Sequence, residues 1–492
     1  METFDILIIG AGSAGTCAAL RLLSLGYRVA MVENESFPRP QIGESLSPGI
    51  HNIFEYLGAA HLLQQDYCLH QLPAQVIWES QTPVILTAQL RGNGGMVNRG
   101  LLDKGLLDLA VAGGLILYQP ARYERCQYND NTWQVNIRQD DISITLSALF
   151  VLDARGRRGI SQQQRLLTAP PMVGLWAYTQ AAHMPAATCV EAVENGWCWG
   201  SPMHDGRYRI ITFIDPKAIK QQAAPLLYNN MLDKTQLFQQ GLKHGPLHDI
   251  QTCNVFSYAH TRPWHNRWLQ LGEAAFAIDP LSSTGVEKAM RFSLQAVIAI
   301  NTVLKNGEEE LAQNFYEERL ITSVVNHTQW TAQYYAQAWP GEAHHFWKER
   351  SHLFLQDKHK HGPFAQQLTT ALHQQHHISP ASPEKTLDIQ HELQRLWNGK
   401  MHISSAITYV QSPCVINDRL QMKTAIQHPN LQREIAFLET AEILPLLVIA
   451  DQAHTFGNLV QEWSKLLSFP LAAKMAVYLW DKKILCETIE ED

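Results

Sequence analysis

The sequence opens with a glycine-rich turn between an apolar run and a segment of helical spacing, and this order restricts the fold more than any other feature. Residues 5–9 (DILII) are almost continuously apolar, which predicts a strand buried on both faces. Gly10, Gly12 and Gly15 follow as G-x-G-x-x-G and lead into TCAALRLLSLG, whose apolar residues recur at helical intervals. Gly10 would form the tight turn, Gly12 would let the backbone approach a pyrophosphate, and Gly15 would let helix and strand pack closely. The sequence therefore predicts a nucleotide-binding βαβ unit with an anion at the helix N-terminus.

A second apolar strand ends in an acid where a ribose contact is expected. The run YRVAMVE ends in Glu33, eighteen residues after Gly15. A carboxylate there can accept hydrogen bonds from ribose hydroxyls. Ser13 and Ala14 lie in the turn and are predicted to contact the cofactor as well. A plain structural βαβ unit is the alternative, and this unit by itself does not separate FAD from NAD.

Two later segments resemble the fingerprints of the FAD-dependent monooxygenase superfamily. A predicted strand, WLQLG, ends at Gly272 and is followed by Glu273. In that superfamily an acid after the glycine holds the ribityl chain; it is usually Asp, and Glu273 is one methylene longer. Residues 151–157 (VLDARGR) resemble the strand-ending D-A-x-G-R that closes the nucleotide domain, which adds Asp153 to the expected cofactor-binding residues. Three elements in this order imply FAD.

Four further segments resemble the tryptophan-halogenase-like branch of that superfamily. They are GESLSP at residues 43–48, NRGLLD at 98–103, GWCWGSP at 196–202 and DPLSSTGV at 279–286. The resemblance implies an α/β fold, with a Rossmann-like (GR2-type) FAD domain and an antiparallel-sheet substrate domain. It places these residues beside the flavin: Gly43, Glu44, Ser45, Arg99, Gly285 and Val286. It assigns no catalytic group, and its pocket candidates are Trp197, Trp199, Pro280, Ser282 and Ser283.

One feature of that branch is absent. Flavin halogenases of the tryptophan type use a lysine shortly after the G-E-S segment to direct hypohalous acid, whereas the first lysine here is Lys104. This disfavours halogenation and favours oxygen transfer from a flavin C4a-hydroperoxide to an electron-rich ring in a dry pocket. The lysine-less chains that this sequence resembles are flavoproteins that mature tryptophylquinone cofactors. The resemblance implies that the substrate is a tryptophan indole within a partner polypeptide, with O2 as cosubstrate.

Two other functions stay open. A small-molecule indole or phenol hydroxylase, or a halogenase, would need a closed pocket of ordinary ligand size. A flavin-binding protein without oxygen chemistry, such as a reductase, would use the same nucleotide fold. No separate NAD(P)H domain is evident in the sequence, so electrons would come from NAD(P)H acting transiently at the flavin or from a flavin reductase.

The aromatic residues and the histidine cluster can each be interpreted as structural or as functional. Trp197 and Trp199 either line the pocket or belong to a core strand with one ring on each face, and Trp78 is expected to pack in the core. Eight of the 22 histidines lie between residues 344 and 377. No closed ligand set stands out among them, so a solvated helical surface is predicted and no metal site is expected.

Charge and composition limit the partners and the compartment. A net charge of −7 and a pI near 6.3 provide no basic surface for nucleic acid. No apolar run approaches the roughly 18 residues of a membrane span, and no basic segment precedes the first apolar run as in a signal peptide. The eight cysteines are scattered without a C-x-x-C pair, which predicts reduced thiols in a cytoplasmic protein.

The chain is expected to divide into four regions. These are an FAD-binding domain (1–75, 95–165 and 260–340), a substrate-binding sheet (76–94 and 166–259), a helical linker (341–385) and a C-terminal module (386–492). Three apolar helical segments followed by ILCETI predict a helical, winged-helix-like module at the end. Its few lysines and acidic tail favour a protein or peptide partner over nucleic acid, with a dimerisation or packing extension as the alternative.

Overall fold

The computed structural model describes residues 2–92, 94–341, 344–354, 362–375, 389–431, 433–453 and 455–488. The chain divides into two compact units, of which the larger comprises Met1–Ile300 and Gln313–Ile378 and the smaller Asn301–Ala312 and Ser379–Asp492. No helix in the part of the chain that the structure describes is long and apolar enough to cross a membrane.

The strands and helices are numbered in chain order. The strands are β1 (Glu2–Ile9), β2 (Val29–Val32), β3 (Ser45–Leu46), β4 (Cys68–His70), β5 (Ala74–Ile77), β6 (Val84–Leu86), β7 (Gly95–Val97), β8 (Ile116–Tyr118), β9 (Arg122–Asn129), β10 (Thr132–Gln139), β11 (Ile142–Asp153), β12 (Arg165–Leu167), β13 (Met172–Gln180), β14 (Thr188–Val193), β15 (Gly196–Pro202), β16 (Arg207–Ile214), β17 (Gln251–Val255), β18 (Tyr258–His260), β19 (Trp264–His265), β20 (Trp268–Gln270), β21 (Phe276–Ala277), β22 (Met401–Ile403), β23 (Thr408–Ile416), β24 (Arg419–Gln427), β25 (Phe437–Leu438), β26 (Ala441–Glu442) and β27 (Leu485–Glu487). The helices are α1 (Ser13–Ser24), α2 (Ile50–Tyr56), α3 (Ala88–Arg91), α4 (Arg99–Ala112), α5 (Pro216–Ile219), α6 (Ala224–Asp233), α7 (Gln239–His244), α8 (Gly285–Leu304), α9 (Glu309–Ala336), α10 (His345–Lys348), α11 (Pro363–Gln375), α12 (Ile389–Leu396), α13 (Ile443–Gln452), α14 (Phe456–Trp463) and α15 (Phe469–Asp481).

The larger unit contains a mainly parallel sheet around the first strand. β1 pairs in parallel with β2 and β11, and β20 continues the sheet beyond β11. The strand order is β19-β20-β11-β1-β2-β8; β10 also pairs antiparallel with β11, and β9 pairs antiparallel with β10. Ile6, Leu7 and Ile8 have no exposed surface, as expected for a parallel strand covered on both faces. The predicted βαβ opening and α/β fold are confirmed.

A second sheet in the larger unit is mostly antiparallel. Its order is β17-β13-β16-β15-β14-β5-β6, and only the β14–β5 pair is parallel. One face carries the apolar cluster that includes Cys198, Ile210 and residues of α6 and α7. The opposite face carries an aromatic cluster. Because successive side chains alternate between faces, residues two apart in β15 project on the same side.

The region after residue 341 differs from the predicted linker. Phe346 and Trp347 of α10 are buried in the aromatic cluster, and Trp347 Nε1 donates to the carbonyl oxygen of Val193 at 3.0 Å. The sequence reads as polar here because two aromatic side chains are set among charged ones. The Pro380–Pro383 part of that linker lies outside the described residues.

The smaller unit contains the three helices predicted for the C-terminus, α13, α14 and α15, packed around Trp463 and Phe456. β23 and β24 form the hairpin predicted near AITYV and LQMKTAI. The order of strands and helices differs from the predicted winged-helix order, in which the β element follows three helices. Among the described residues, the hairpin precedes the helices, and β27 after the third helix pairs with β22, which comes before them.

Candidate active site

A cavity of about 1030 Å³ extends from the glycine-rich turn to the aromatic face of the second sheet. Seventeen residues predicted for the cofactor or the substrate line it: Gly10, Gly12, Ser13, Ala14, Glu33, Gly43, Glu44, Ser45, Arg99, Trp197, Trp199, Gly272, Glu273, Pro280, Ser283, Gly285 and Val286. Gly15, Asp153 and Ser282 were also predicted and do not line it. The fold therefore collects in one place residues that are spread over almost 280 positions of the sequence.

The glycine turn has the shape of a phosphate cradle. Gly10 has a φ of +107°, and a Cβ there would lie 2.5 Å from the carbonyl oxygen of Ala154. A Cβ at Gly15 would lie 2.1 Å from the carbonyl oxygen of Gly10, which explains why Gly15 packs and does not line the cavity. A Cβ at Gly12 would come no closer than 4.0 Å to Arg39. Since no side chain caps α1 at Gly12, the first turn of that helix offers its N–H groups to an anion, and the site fits a dinucleotide pyrophosphate.

Glu33 is held at the end of β2 by the glycine turn itself. Its Oε2 accepts a hydrogen bond from the Ala11 amide at 2.7 Å, and its Oε1 accepts one from the Glu35 amide at 2.8 Å. The side chain is buried yet reaches the cavity. A carboxylate oxygen has two lone pairs, so each oxygen can still accept a hydrogen bond from a ribose hydroxyl.

A buried ion pair joins α4 to the turn. Arg99 donates to both oxygens of Asp103 at 3.1 Å, to the carbonyl oxygen of Gly43 at 3.1 Å and to Ser13 Oγ at 3.4 Å. Burial raises the pKa of Asp103, and the charge and hydrogen bonds of Arg99 oppose that rise. Arg99 thus connects the helix that starts at NRGLLD, the G-E-S loop and the N-terminus of α1.

The two predicted acids of the later fingerprints already have arginine partners. Asp153 accepts from Arg155 at 2.9 Å and 2.6 Å and is almost fully buried, so it acts below the cavity surface. Glu273 lines the cavity and accepts from Arg157 at 3.1 Å and 3.0 Å. The extra methylene of Glu273 therefore coincides with a bidentate arginine contact, a geometry that favours guanidinium–carboxylate pairs.

Asp279 is a buried carboxyl group in the cavity wall. Tyr335 Oη lies 3.3 Å and 3.2 Å from its two oxygens, and the Leu281 amide donates to Oδ1 at 3.0 Å. Trp197 Nε1 donates to the same tyrosine hydroxyl at 3.1 Å. Burial raises the pKa of Asp279 to about 6, because few charges compensate the loss of water.

Trp197 and Trp199 lie on the same face of β15, and both line the cavity. The alternative with one ring on each face is wrong, because residues two apart share a face and Cys198 takes the other side. Trp197 stacks on Phe213 with ring centroids 3.9 Å apart. Trp78 packs edge-on against Trp197 and does not line the cavity, in agreement with its predicted packing role.

A second buried ion pair connects the G-E-S loop to the substrate sheet. Glu44 pairs with Arg209 of β16, and Arg209 donates to Tyr178 Oη at 2.5 Å. The Arg209 guanidinium also lies 4.3 Å from the ring centroid of Trp176. Both ionic side chains are almost fully buried, so this contact sets the position of the loop against the sheet.

Sequence reasoning missed several cavity residues. Arg39 and Arg157 were not singled out, and Lys288 was passed over although it stands three residues after Gly285. A signal for Lys288 existed, since residues three apart near the start of a helix share a face. Nothing in the local sequence indicates that Arg157 meets Glu273, which lies 116 residues away.

The structure brings together one group of possible metal ligands among the described residues. Ligand atoms of Asp215, His345 and Glu349 lie within 4.8 Å of one another. His345 and Glu349 are exposed, and the His345–Glu349 contact of 2.9 Å is an ordinary surface pair. The expectation of no metal site stays a prediction.

The nucleotide-binding sheet, the glycine cradle and the cavity that reaches a second, antiparallel sheet define a flavoprotein of the FAD-dependent monooxygenase class. The family model described as tryptophan halogenase matches residues 5–68 and 98–386, more than half of the chain. The protein belongs to this family and is a flavin-dependent oxidoreductase.

Similar proteins include both a halogenase and an FAD-dependent oxidoreductase. The chain is 28% identical over 338 residues to a tryptophan 2-halogenase of Chondromyces crocatus, a match that covers 63% of this chain and 64% of the relative. It is also 23% identical to LodB of Marinomonas mediterranea, which is described as an FAD-dependent oxidoreductase. This match covers 73% of this chain and the whole of LodB.

Two solved structures share the fold over nearly the whole chain. The flavin-dependent halogenase CmlS has a TM-score of 0.73 at 21% identity and covers all of this chain and 97% of its own. The peptidyl tryptophan dihydroxylase QhpG, described as essential for tryptophylquinone cofactor biogenesis, has a TM-score of 0.71 at 21% identity and covers 98% of this chain and 99% of its own.

Proposed function

We propose that this protein is an FAD-dependent monooxygenase that hydroxylates a tryptophan indole within a partner polypeptide, as a step in the formation of a protein-derived tryptophylquinone. The observation that carries the proposal is the continuous cavity, whose polar end suits a dinucleotide and whose other end is aromatic and apolar. Its volume of about 1030 Å³ lies at the upper end of the range for ligand sites, as a site for both a cofactor and an aromatic ring requires.

The residues divide the work along the cavity. The glycine turn, Glu33 and Arg99 would hold the nucleotide half of FAD. Trp199 and Phe213 would hold an indole and exclude water from the site. Exclusion of water prevents side reactions of reactive intermediates. Bound FAD would supply the activation of O2 with electrons from NAD(P)H or a flavin reductase.

The polypeptide substrate is supported by the likeness to QhpG and LodB over nearly their whole lengths. We assign partner binding in part to the C-terminal unit. We place the protein in the cytoplasm because all eight cysteines are free thiols, as a reducing compartment favours.

Halogenation or hydroxylation of a small aromatic molecule is the second candidate. The tryptophan 2-halogenase relative favours it, and the cavity does contain a lysine, Lys288, on α8. That lysine is far in sequence from the position after the G-E-S segment, and hydroxylation of a protein-bound tryptophan remains the preferred function.

The test uses the FAD-loaded protein, a flavin reductase with NADH, O2, chloride and a tryptophan-containing polypeptide from a quinoprotein subunit. Mass spectrometry of the polypeptide should show the addition of one or two oxygen atoms at a single tryptophan. A polypeptide with Phe in place of that tryptophan is the control and should stay unmodified.

Incorporation of chlorine, or turnover of free indoles or phenols with no change in any polypeptide, would contradict the proposal. The Phe213→Ala variant should lose most of the coupling between NADH consumption and product, because it opens the apolar end of the cavity.

A further inference from the structure

Lys288 is a cation in the wall of the cavity, and it forms no ion pair with a carboxylate among the described residues. It stands in the first turn of α8, next to the cavity-lining residues Gly285 and Ala289. Among the residues that the structure describes, its ammonium makes one polar contact, with Nδ1 of His327 on α9 at 3.4 Å. The nearby carboxylate of Glu287 is already engaged by Arg291 and Ser47.

Burial makes the positive charge of Lys288 energetically unfavourable. The pKa of Lys288 is lowered to about 8, chiefly by burial; the charge of Glu287 opposes this effect and the charge of Arg291 adds to it. Burial, together with the Lys288 charge, lowers the pKa of His327 to about 3, so the imidazole is neutral and can accept a hydrogen bond. A desolvated cation of this kind is stabilised by an anion that enters the cavity.

We propose that Lys288 is the group that stabilises the negative charge of the reduced flavin ring and thereby raises the reduction potential of the bound cofactor. Charge placed near the flavin ring is one of the levers by which a protein tunes this cofactor. Lys288 comes just after segment 279–286, whose Pro280, Ser283, Gly285 and Val286 line the cavity and which the family resemblance places beside the flavin. The N-terminus of α1 at the glycine turn suits the pyrophosphate instead, so the flavin ring is the part of the cofactor that we assign to Lys288. The inference rests on FAD binding and not on the identity of the substrate.

The experiment compares the flavin midpoint potential of the FAD-loaded protein with those of Lys288→Met and Lys288→Arg. We expect Lys288→Met to weaken the binding of reduced relative to oxidised FAD by about tenfold, which lowers the potential by about 30 mV for a two-electron couple. Lys288→Arg keeps the positive charge, so its midpoint potential should stay close to that of the parent protein. Lys104→Met, a surface change on α4, is the matched control and should leave the potential unchanged.

Oxidised FAD should bind Lys288→Met within about twofold of the parent protein, as measured by quenching of flavin fluorescence. A potential in Lys288→Met equal to that of the parent would overturn the proposal, as would an equal loss in Lys288→Arg.

If Lys288→Met does not retain FAD, the parent protein alone decides. Its photoreduced flavin should show the absorption spectrum of the anionic reduced form at neutral pH, and the spectrum of the neutral reduced form would refute the proposal. Neither readout requires substrate, so failure of the tryptophan-hydroxylation proposal would leave this result intact.

Discussion

Asp279 shows how much the fold changes the chemistry of one residue. In the sequence it is an acid beside a proline, whereas in the structure it is enclosed by Tyr335, a backbone amide and an aromatic cluster. The carboxyl group is more easily protonated in the folded state than in the unfolded state, where its pKa is near 3.9. Its contribution to stability is therefore fully present below about pH 4 and is lost as the pH rises through about 6.

Asp279→Asn should change the pH dependence of stability in a defined direction. Asn keeps the ability to accept the Leu281 amide hydrogen bond and does not ionise. The variant should gain up to about 3 kcal/mol in free energy of unfolding, relative to the parent, between pH 4 and pH 7. Urea denaturation at both pH values measures this, and an equal difference at the two values would contradict it.

Gly15→Ala should disrupt the phosphate cradle. The added Cβ would lie 2.1 Å from the Gly10 carbonyl oxygen, so α1 must shift away from β1. We expect a loss of about 1–3 kcal/mol in stability and a clearly weaker affinity for FAD. Gly362→Ala, where a Cβ meets nothing within 4 Å, is the control. Equal FAD affinities in the two variants would show that the close packing is not needed.

At the scale of elements, α4 carries two ion pairs with the same spacing and opposite surroundings. Arg99 and Asp103 have side chains that are 7% and 1% exposed, whereas Lys104 and Asp108 are 41% and 60% exposed. The first pair ties α4 to the glycine turn, and the second faces solvent.

Asp103→Ala should therefore lower the free energy of unfolding far more than Asp108→Ala. Removing one partner of a buried pair leaves an uncompensated charge and costs about 3–5 kcal/mol. Breaking an exposed pair on a helix costs about 0.3–0.5 kcal/mol. Chemical denaturation of both variants measures the contrast, and FAD affinity should fall only in Asp103→Ala. Similar losses in both would mean that the first pair is not buried in solution.

Some helices and strands could be predicted from the sequence and others could not, because only some of them depend on local patterns alone. β1, α1 and β2 follow from local patterns of apolar residues and glycine, and the three C-terminal helices follow from helical spacing. The position of α10 did not follow, because its two buried aromatic residues act only through partners such as Val193, 154 residues away. The winged-helix expectation differed from the structure because strand pairing between β22 and β27 is non-local.

At the scale of the whole molecule, the proposed partner needs a surface outside the cavity. The hairpin of β23 and β24 in the smaller unit exposes Tyr409, Val415 and Met422 by 60%, 46% and 47%. Exposed aromatic and methionine side chains are enriched at protein interfaces.

Replacing Tyr409 and Met422 together by Ser should weaken binding of the polypeptide partner by about tenfold, as expected for interface anchors. FAD affinity should not change. Ile142→Ser, on an equally exposed hairpin of the larger unit, is the control and should leave partner binding intact. Fluorescence anisotropy with a labelled partner measures both, and unchanged affinity in the double variant would remove the hairpin from the binding surface.

The sequence by itself determined the nucleotide-binding turn, the FAD fingerprints and the family resemblance, because these are patterns of residues close together in the chain. At Gly15, for example, the steric limit comes from the carbonyl oxygen of Gly10, a near neighbour in the chain. Only the tertiary structure decided that Glu273 meets Arg157, that Trp197 and Asp279 share the hydroxyl of Tyr335, and that Lys288 enters the cavity wall. These contacts join residues 39 to 138 positions apart, and their charges and pKa values depend on burial that arises when separate elements pack.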